Sequence, residues 1–126
     1  MRLGIIINDI QTEHGKYTTT HLAIAATNLG HEVWYMGVAD FAYAPDEKTH
    51  AYARRVPDKK YRSGDAYLNA LRGKKAYAER ISLDELDVLL LRNDPENYVN
   101  TRPWARLAGN NFARLAIRHW FFVLHY

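Results

Sequence analysis

The chain has 126 residues, enough for one domain with its own hydrophobic core, and its lack of cysteine excludes a disulfide framework, a thiolate metal site and a thiol nucleophile. Its N-terminal apolar stretch is too short for a secretory leader, and no run of about 18 apolar residues occurs, which predicts a soluble, cytoplasmic protein without a membrane span. The net charge of +3 is unevenly placed, because residues 48–80 contain ten lysines and arginines against three acids while the rest of the chain is net negative.

Continuously apolar runs predict strands that are buried on both faces of a mostly parallel sheet. These runs are Leu3–Ile7, Val33–Val38, Leu86–Leu91 and Phe121–Leu124. Between the first two, apolar residues recur at helical spacing and a glycine follows, which predicts an amphipathic helix over Thr18–Leu29. Its expected buried stripe consists of Leu22, Ala25, Ala26 and Leu29. A second amphipathic segment, Pro103–Arg118, predicts a helix between the last two strands.

Residues 40–83, which we call the excursion, do not fit a single crossover between strands. Alternating patterns predict two strands in it, arranged like a hairpin around a short helix at Asp65–Leu71. The predicted fold is α/β: a Rossmann-like, open, mostly parallel sheet of order 2-1-3-4, with helices on both faces and a basic excursion between strands 2 and 3. We expect residues 1–126 to form a single domain.

Polar loops follow the first and third predicted strands, at the point where the strand order reverses. In open α/β sheets, ligands bind beyond the carboxyl ends of the strands at such a point. The loops contain Asp9, Arg92 and Asp94, which we take as candidate ligand-binding residues. The alternative is that the two aspartates cap turns and that Arg92 forms a surface ion pair. The residues alone leave both interpretations open.

Several familiar site types are not indicated by the sequence. Neither GxGxxG after the first strand nor GxxxxGK[ST] occurs, which argues against a dinucleotide site and a P-loop. The six histidines show no HExxH motif and no i, i+4 pair, so a histidine metal site is not expected. Neither serine lies in a GxSxG motif, which argues against a serine hydrolase.

The basic segment at residues 48–80 interleaves tyrosines with its cations. Such a composition also occurs in nucleic-acid-binding proteins, where aromatic rings stack on bases and cations contact phosphates. A solvated excursion anchored by half-buried tyrosines is the favoured interpretation. A third interpretation is a positive potential over a site for a small polyanionic substrate. We therefore expect no nucleic-acid partner.

Three stretches together resemble the opening domain of prokaryotic glutathione synthetases: Gly4–Ile10, Leu29–Met36 and Leu83–Pro95. The last stretch, in which "LDV" and an apolar run lead into "RNDP", is the most specific. The resemblance implies that Asp9, Arg92, Asn93 and Asp94 line the substrate side of a cleft. It makes Arg92 the partner of a substrate carboxylate, which a guanidinium binds bidentately. The chain departs from the family pattern at Ile10, Asn93 and 96–97.

The resemblance implies a ligase that joins γ-glutamylcysteine to glycine through an acylphosphate, using ATP and Mg²⁺. In that family this domain precedes an ATP-grasp domain and contributes to oligomer contacts. Because the chain ends soon after the fourth predicted strand, we expect it to lack the ATP-grasp domain, to hold no cofactor and to be inactive alone. The expected partners are a small peptide or amino-acid substrate, an ATP-grasp domain, and a second copy of the chain paired through the apolar edge strand.

Two alternatives from other functional classes remain open. The chain is alternatively a free-standing α/β binding or interaction module for a polyanion or nucleic acid, or the N-terminal half of a glycosyltransferase-like enzyme. The first would show binding with a steep dependence on salt. The second would bind sugar or acceptor ligands at the same strand ends.

Overall fold

The structure is a computed structural model that describes residues 1–43 and 49–92. Its strands are β1 (Arg2–Ile7), β2 (Glu32–Gly37), β3 (Phe41–Tyr43), β4 (Thr49–Arg55), β5 (Tyr77–Ser82) and β6 (Val88–Leu91). Its helices are α1 (Thr18–Asn28) and α2 (Gly64–Arg72). In this described part of the chain, no helix has the length and apolar character to cross a membrane. The helix predicted at Pro103–Arg118 and the strand predicted at Phe121–Leu124 lie outside it, and self-association through that strand stays a prediction.

β1 is the central strand of a parallel group, with β2 on one side and β6 on the other. Ile6 pairs with Met36 of β2 and with Leu91 of β6. Ile5, Ile6 and Ile7 are at most 2% exposed although their side chains alternate between the two faces of the sheet. The prediction from the first apolar run, a strand buried on both faces, is therefore confirmed.

Beyond β2, the sheet continues with strands of the excursion. β4 pairs antiparallel with β2, where Arg54 lies opposite Tyr35. β4 also pairs antiparallel with β3 and, along most of its length, with β5. The order is β3-β4-β2-β1-β6, with β5 paired to β4. The sheet is thus mixed, it differs from the predicted order 2-1-3-4, and the Rossmann-like arrangement is not confirmed.

The burial pattern of β4 explains why the excursion joins the sheet. Ala51 and Ala53 are 1% exposed, whereas Tyr52 between them points to solvent. A strand with one buried face must pair its backbone N–H and C=O groups, because unpaired groups are costly away from water. Pairing with both β2 and β5 meets this need, so the excursion becomes part of the domain's core.

Both helices of the described part pack on the same face of the sheet. Their buried side chains form one cluster with the sheet residues of that face: Ile5, Ile7, Ile10, Ala23, Val33, Tyr35, Val56, Tyr67, Leu68 and Leu71. A second cluster on the other face contains Ile6, Trp34, Met36 and Leu89, and no residue of α1 or α2 belongs to it. Helices were predicted on both faces of the sheet, and in the described residues they lie on one face. The helix predicted at Pro103–Arg118 lies outside the described residues.

The buried face of α1 differs from the predicted one. Leu22 and Leu29 are 42% and 78% exposed. The buried positions are instead Thr19, Thr20, Ala23 and Thr27. These small side chains let the helix approach the sheet closely, and the hydroxyls of the three threonines take part in hydrogen bonds. The hydroxyl of Thr20, for example, donates to the backbone oxygen of His14 at 2.8 Å. Of the predicted stripe, Ala26 packs against the core cluster, but Leu22 and Leu29 were wrong. Hydrogen-bonded threonines, which apolar periodicity counts as polar, take the core-facing positions instead.

Candidate functional site at the carboxyl edge of the sheet

The carboxyl ends of β1, β2 and β6 meet at one edge of the sheet, which we call the carboxyl edge, because these strands are parallel and adjacent. Asp9 follows β1 by two residues and Arg92 follows β6 directly, so both lie at this edge. Asn93 and Asp94, the other candidate residues, lie outside the described residues. Ligands of open α/β sheets bind beyond such an edge, so the surroundings of Asp9 and Arg92 form the candidate site.

The carboxylate of Asp9 caps a short 3₁₀ turn formed by Ile10–Thr12. Its Oδ1 accepts a hydrogen bond from the backbone N–H of Gln11 at 2.8 Å. The turn-capping interpretation of Asp9 is therefore correct as far as this contact goes. The side chain is nevertheless exposed, and a carboxylate has room for several donors, so capping leaves capacity for a ligand.

A cavity of about 310 Å³ lies beside Asp9, between the loop that follows β1 and the excursion. Its lining includes three carboxylates, one guanidinium and one tyrosine: Asp9, Asp40, Glu79, Arg54 and Tyr52. Asp40 comes shortly after β2, and its Oδ2 accepts a hydrogen bond from the backbone N–H of Gly37 at 2.7 Å. Asp40 follows an apolar strand as Asp9 does, which is a usable signal in the sequence, but it was not among the predicted site residues.

Asp40 has a perturbed acidity that depends on Asp9. Burial raises the pKa of the Asp40 carboxyl above its ordinary value of 3.8, the hydrogen bond from Gly37 opposes this rise, and the negative charge of Asp9 adds to it. Because the pKa of Asp40 is raised in the native state, the native chain keeps this proton at pH values between 3.8 and the raised pKa, where the unfolded chain has already lost it. The free energy of unfolding contributed by Asp40 is therefore greatest below pH 3.8 and falls as the pH rises through the raised pKa.

We expect a carboxyl ¹³C NMR titration to give Asp40 a pKa above 3.8, and the substitution Asp9→Asn to lower it, because a like charge is removed. Asp40→Asn should remove the corresponding loss of stability with rising pH, measured by chemical denaturation at several pH values. An Asp40 pKa that does not respond to Asp9→Asn would contradict the proximity of the two carboxylates.

Arg92 is turned toward α1. Its Nε donates a hydrogen bond to Oγ1 of Thr19 at 3.0 Å, and its backbone N–H donates to the oxygen of Ile6 at 2.8 Å. Arg92 and Asp9 thus share the carboxyl edge but contact different neighbours, with Asp9 facing the cavity beside Asp40. The role of Asp9, Arg92, Asn93 and Asp94 in substrate binding stays a prediction.

Glu13 adds a carboxylate on the side of the edge where Arg92 lies. Burial raises the pKa of its carboxyl, while the backbone N–H of His14 and the positive charges of Arg72, His14 and Arg92 oppose the rise. Its Oε1 accepts a hydrogen bond from the N–H of His14 at 3.2 Å. Sequence reasoning missed Glu13, because its partner Arg72 lies 59 residues away and no local pattern joins the two.

The carboxyl edge carries charges of both signs. Asp9 and Asp40 place carboxylates beside the end of β2, whereas the guanidinium of Arg92 lies near the first turn of α1, within electrostatic range of Glu13. A zwitterion carries an ammonium and a carboxylate group, and an edge with both carboxylates and a guanidinium offers a partner to each. Among residues 1–43 and 49–92, no group of His, Asp and Glu side chains is arranged to hold a metal ion.

Several members of the basic segment are engaged within the chain. Arg54 donates to two backbone oxygens at the end of α2 at 2.7 and 2.8 Å. Arg55 pairs with Glu32 at 3.0 Å and lies over the rings of Trp34 and Tyr77. These contacts favour a structural role for the segment over polyanion binding, because guanidinium groups held in the fold are less available to phosphates.

One family model matches most of the chain. It describes the N-terminal domain of prokaryotic glutathione synthetase, and it matches residues 1–101. A search of curated proteins gives no match. The matched residues include both loops of the carboxyl edge and the whole excursion.

Proposed function

The chain belongs to the family of prokaryotic glutathione synthetase N-terminal domains, and from that premise we propose that it is the substrate-binding domain of an ATP-dependent carboxylate–amine ligase. The observation that carries this function is the match over residues 1–101, because it contains both loops that meet at the carboxyl edge. The substrate class is a small peptide or an amino acid.

The charge distribution at the carboxyl edge supports a zwitterionic substrate. The guanidinium of Arg92 is suited to a substrate carboxylate, since its planar fork binds two oxygens at once. Asp9 is exposed at the same edge and is suited to an ammonium group. Asn93 and Asp94 follow Arg92 directly in the sequence, and they complete the proposed set.

Neither the sequence motifs nor the side chains of residues 1–43 and 49–92 indicate a site for the nucleotide or its metal ion. The sequence has no glycine-rich phosphate loop, and the described side chains form no group suited to Mg²⁺. We therefore assign ATP and Mg²⁺ to an ATP-grasp domain as partner, and we expect this chain to be inactive alone. The homodimer and the cytoplasmic location stay predictions from the sequence.

The two alternative functions have less support. The family match points to a ligase domain and not to a glycosyltransferase half. Polyanion binding through residues 48–80 is weakened by the engagement of Arg54, Arg55 and Arg72 in contacts within the chain.

Isothermal titration calorimetry with γ-glutamylcysteine tests this function. We expect the chain to bind the peptide and Arg92→Lys to weaken binding about 10- to 100-fold, because losing a bidentate charge-assisted contact costs roughly 1.5–3 kcal/mol. Arg62→Lys is the matched control and should bind like the wild type, since Arg62 is exposed and adjoins Tyr61, which contacts Asn28 at the far end of α1.

Two calorimetric results would contradict the proposed function. One is the absence of binding heat with the wild-type chain at millimolar peptide. The other is an unchanged affinity in a well-folded Arg92→Lys variant. Titration with Mg·ATP should give no measurable binding, and a micromolar dissociation constant would contradict the assignment of the nucleotide to a partner domain.

A further inference from the structure

The β1–α1 loop, residues 8–17, carries two charged groups of the carboxyl edge, and α2 lies alongside it. At the first turn of α2, Gly64 packs directly against Gly15 of the loop. A Cβ at Gly64 would overlap the carbonyl oxygen of Gly15, and a Cβ at Gly15 would lie 2.6 Å from Oδ1 of Asp65. Two glycines therefore permit backbone-to-backbone contact between the helix and the loop.

Arg72 makes the contact at the other end of α2. Its Nε donates a hydrogen bond to the backbone oxygen of Ile10 at 2.9 Å, and its Nη2 donates to the backbone oxygen of Glu13 at 2.6 Å. Because both donors belong to one planar guanidinium, they fix the distance between the two acceptors. Arg72 thus bridges the 3₁₀ turn that Asp9 caps.

α2 is a firm support for these contacts because it is anchored in the core. The hydroxyl of Ser63 accepts a hydrogen bond from the N–H of Ala66 at 3.1 Å and caps the helix. Tyr67, Leu68 and Leu71 are at most 2% exposed. A helix fixed in this way holds the loop at both ends, through Gly64 and Arg72.

We propose that Arg72 is a positioning residue for the peptide site. It holds the β1–α1 loop in the conformation that presents Asp9 and Glu13 at the carboxyl edge, and it does so without touching the substrate. Its effect on peptide binding rests on the proposed function, whereas its effect on the loop does not depend on any ligand. The excursion, whose α2 carries Arg72, would thereby shape the site from outside it.

Native-state hydrogen exchange of the free chain tests the positioning role. The loop amides of Gln11, Thr12 and Tyr17 are hydrogen-bonded, so their exchange reports whether the loop keeps its conformation. Arg72→Lys keeps the charge but loses the fork, and it should speed exchange at these amides about tenfold or more while the amides of β1 exchange as in the wild type.

Arg55→Lys is the matched control. Arg55 also belongs to the excursion and also contacts another element, but its partner Glu32 lies at the opposite edge of the sheet. It should leave the protection of the loop amides, relative to that of β1, unchanged. Unchanged loop exchange in Arg72→Lys, or an equal increase in the loop and in β1, would overturn the positioning role. If Arg72→Lys fails to fold, Arg72→Gln carries the same expectation, because its amide keeps one donor for the loop but loses the paired donors of the guanidinium.

Titration of the same variants with γ-glutamylcysteine separates this role from the proposed function. Selective loosening of the loop together with an affinity at least about fivefold weaker supports positioning of the peptide site. Loosening of the loop with full affinity would overturn it. If the wild-type chain binds no peptide, the proposed function fails, while the exchange experiment still decides whether Arg72 holds the loop.

Discussion

Replacing Tyr67 by alanine is expected to lower the free energy of unfolding by about 3–5 kcal/mol, the range for removing a buried aromatic ring. Tyr67 is fully buried in α2. Its ring packs edge-on against Tyr61, with centroids 5.1 Å apart, and near Tyr35 at 6.0 Å. The large loss is expected because the ring joins the excursion to the sheet, and its removal leaves a cavity between them. Urea denaturation measures the change.

Two matched variants separate the causes of this loss. Tyr67→Phe keeps the ring and loses the hydroxyl, which lies 3.4 Å from the hydroxyl of Thr27, so it should cost only about 1 kcal/mol. Tyr52→Ala removes an exposed tyrosine of the same excursion and should change stability by less than about 0.5 kcal/mol. If Tyr67→Ala costs no more than Tyr52→Ala, then the excursion is not part of the core.

Replacing Ile6 by alanine is expected to cost about 2–5 kcal/mol. Ile6 lies on the central strand and belongs to the cluster on the sheet face opposite to α1 and α2. Its side chain is fully buried. The loss arises because the removed methylene and methyl groups no longer contact Trp34 and Met36, their neighbours in that cluster.

Comparison with the helix-covered face makes this experiment decisive. Ile5→Ala, on the face of α1 and α2, should give a loss of similar size, and Ile6→Val should cost only about 0.5–1.5 kcal/mol. A change below about 0.5 kcal/mol for Ile6→Ala would mean that its face of the sheet is open to water, contrary to the burial seen in the structure.

The parallel centre of the fold was predictable because burial on both faces leaves a direct trace in the sequence. Only apolar residues fill a strand such as Leu3–Ile7, whatever the rest of the chain does. The buried face of α1 left no such trace. It is lined by threonines whose partners are distant in sequence, as in the contact of Thr27 with Tyr67, so apolar spacing pointed to Leu22 and Leu29 instead.

The sheet order was not predictable for a related reason. β4, β5 and α2 were expected near their observed positions, whereas β3 was not predicted. Alternation within β4 does not tell which strand it will join. In the structure β4 joins β2, where Arg54 lies opposite Tyr35, and these two residues are distant in sequence. Local patterns therefore indicated elements, while long-range pairing decided the order.

In the candidate site, too, local patterns identified some residues and missed others. Asp9 and Arg92 were identifiable because each follows an apolar strand, and parallel strands end at one edge. Arg72 was seen only as one of ten basic residues in residues 48–80. Its two hydrogen bonds to the β1–α1 loop depend on how α2 packs against that loop, which no local pattern records.

The central claim is that the carboxyl edge binds a small peptide, and amide chemical-shift mapping of the ¹⁵N-labelled chain tests it most directly. On titration with γ-glutamylcysteine, we expect the perturbed amides to concentrate in residues 8–17 and around Arg92. The amides near Gly30 and Pro57, which line a separate cavity, should stay unchanged. Saturable shifts centred on that second cavity, or no shifts at millimolar peptide, would contradict the claim.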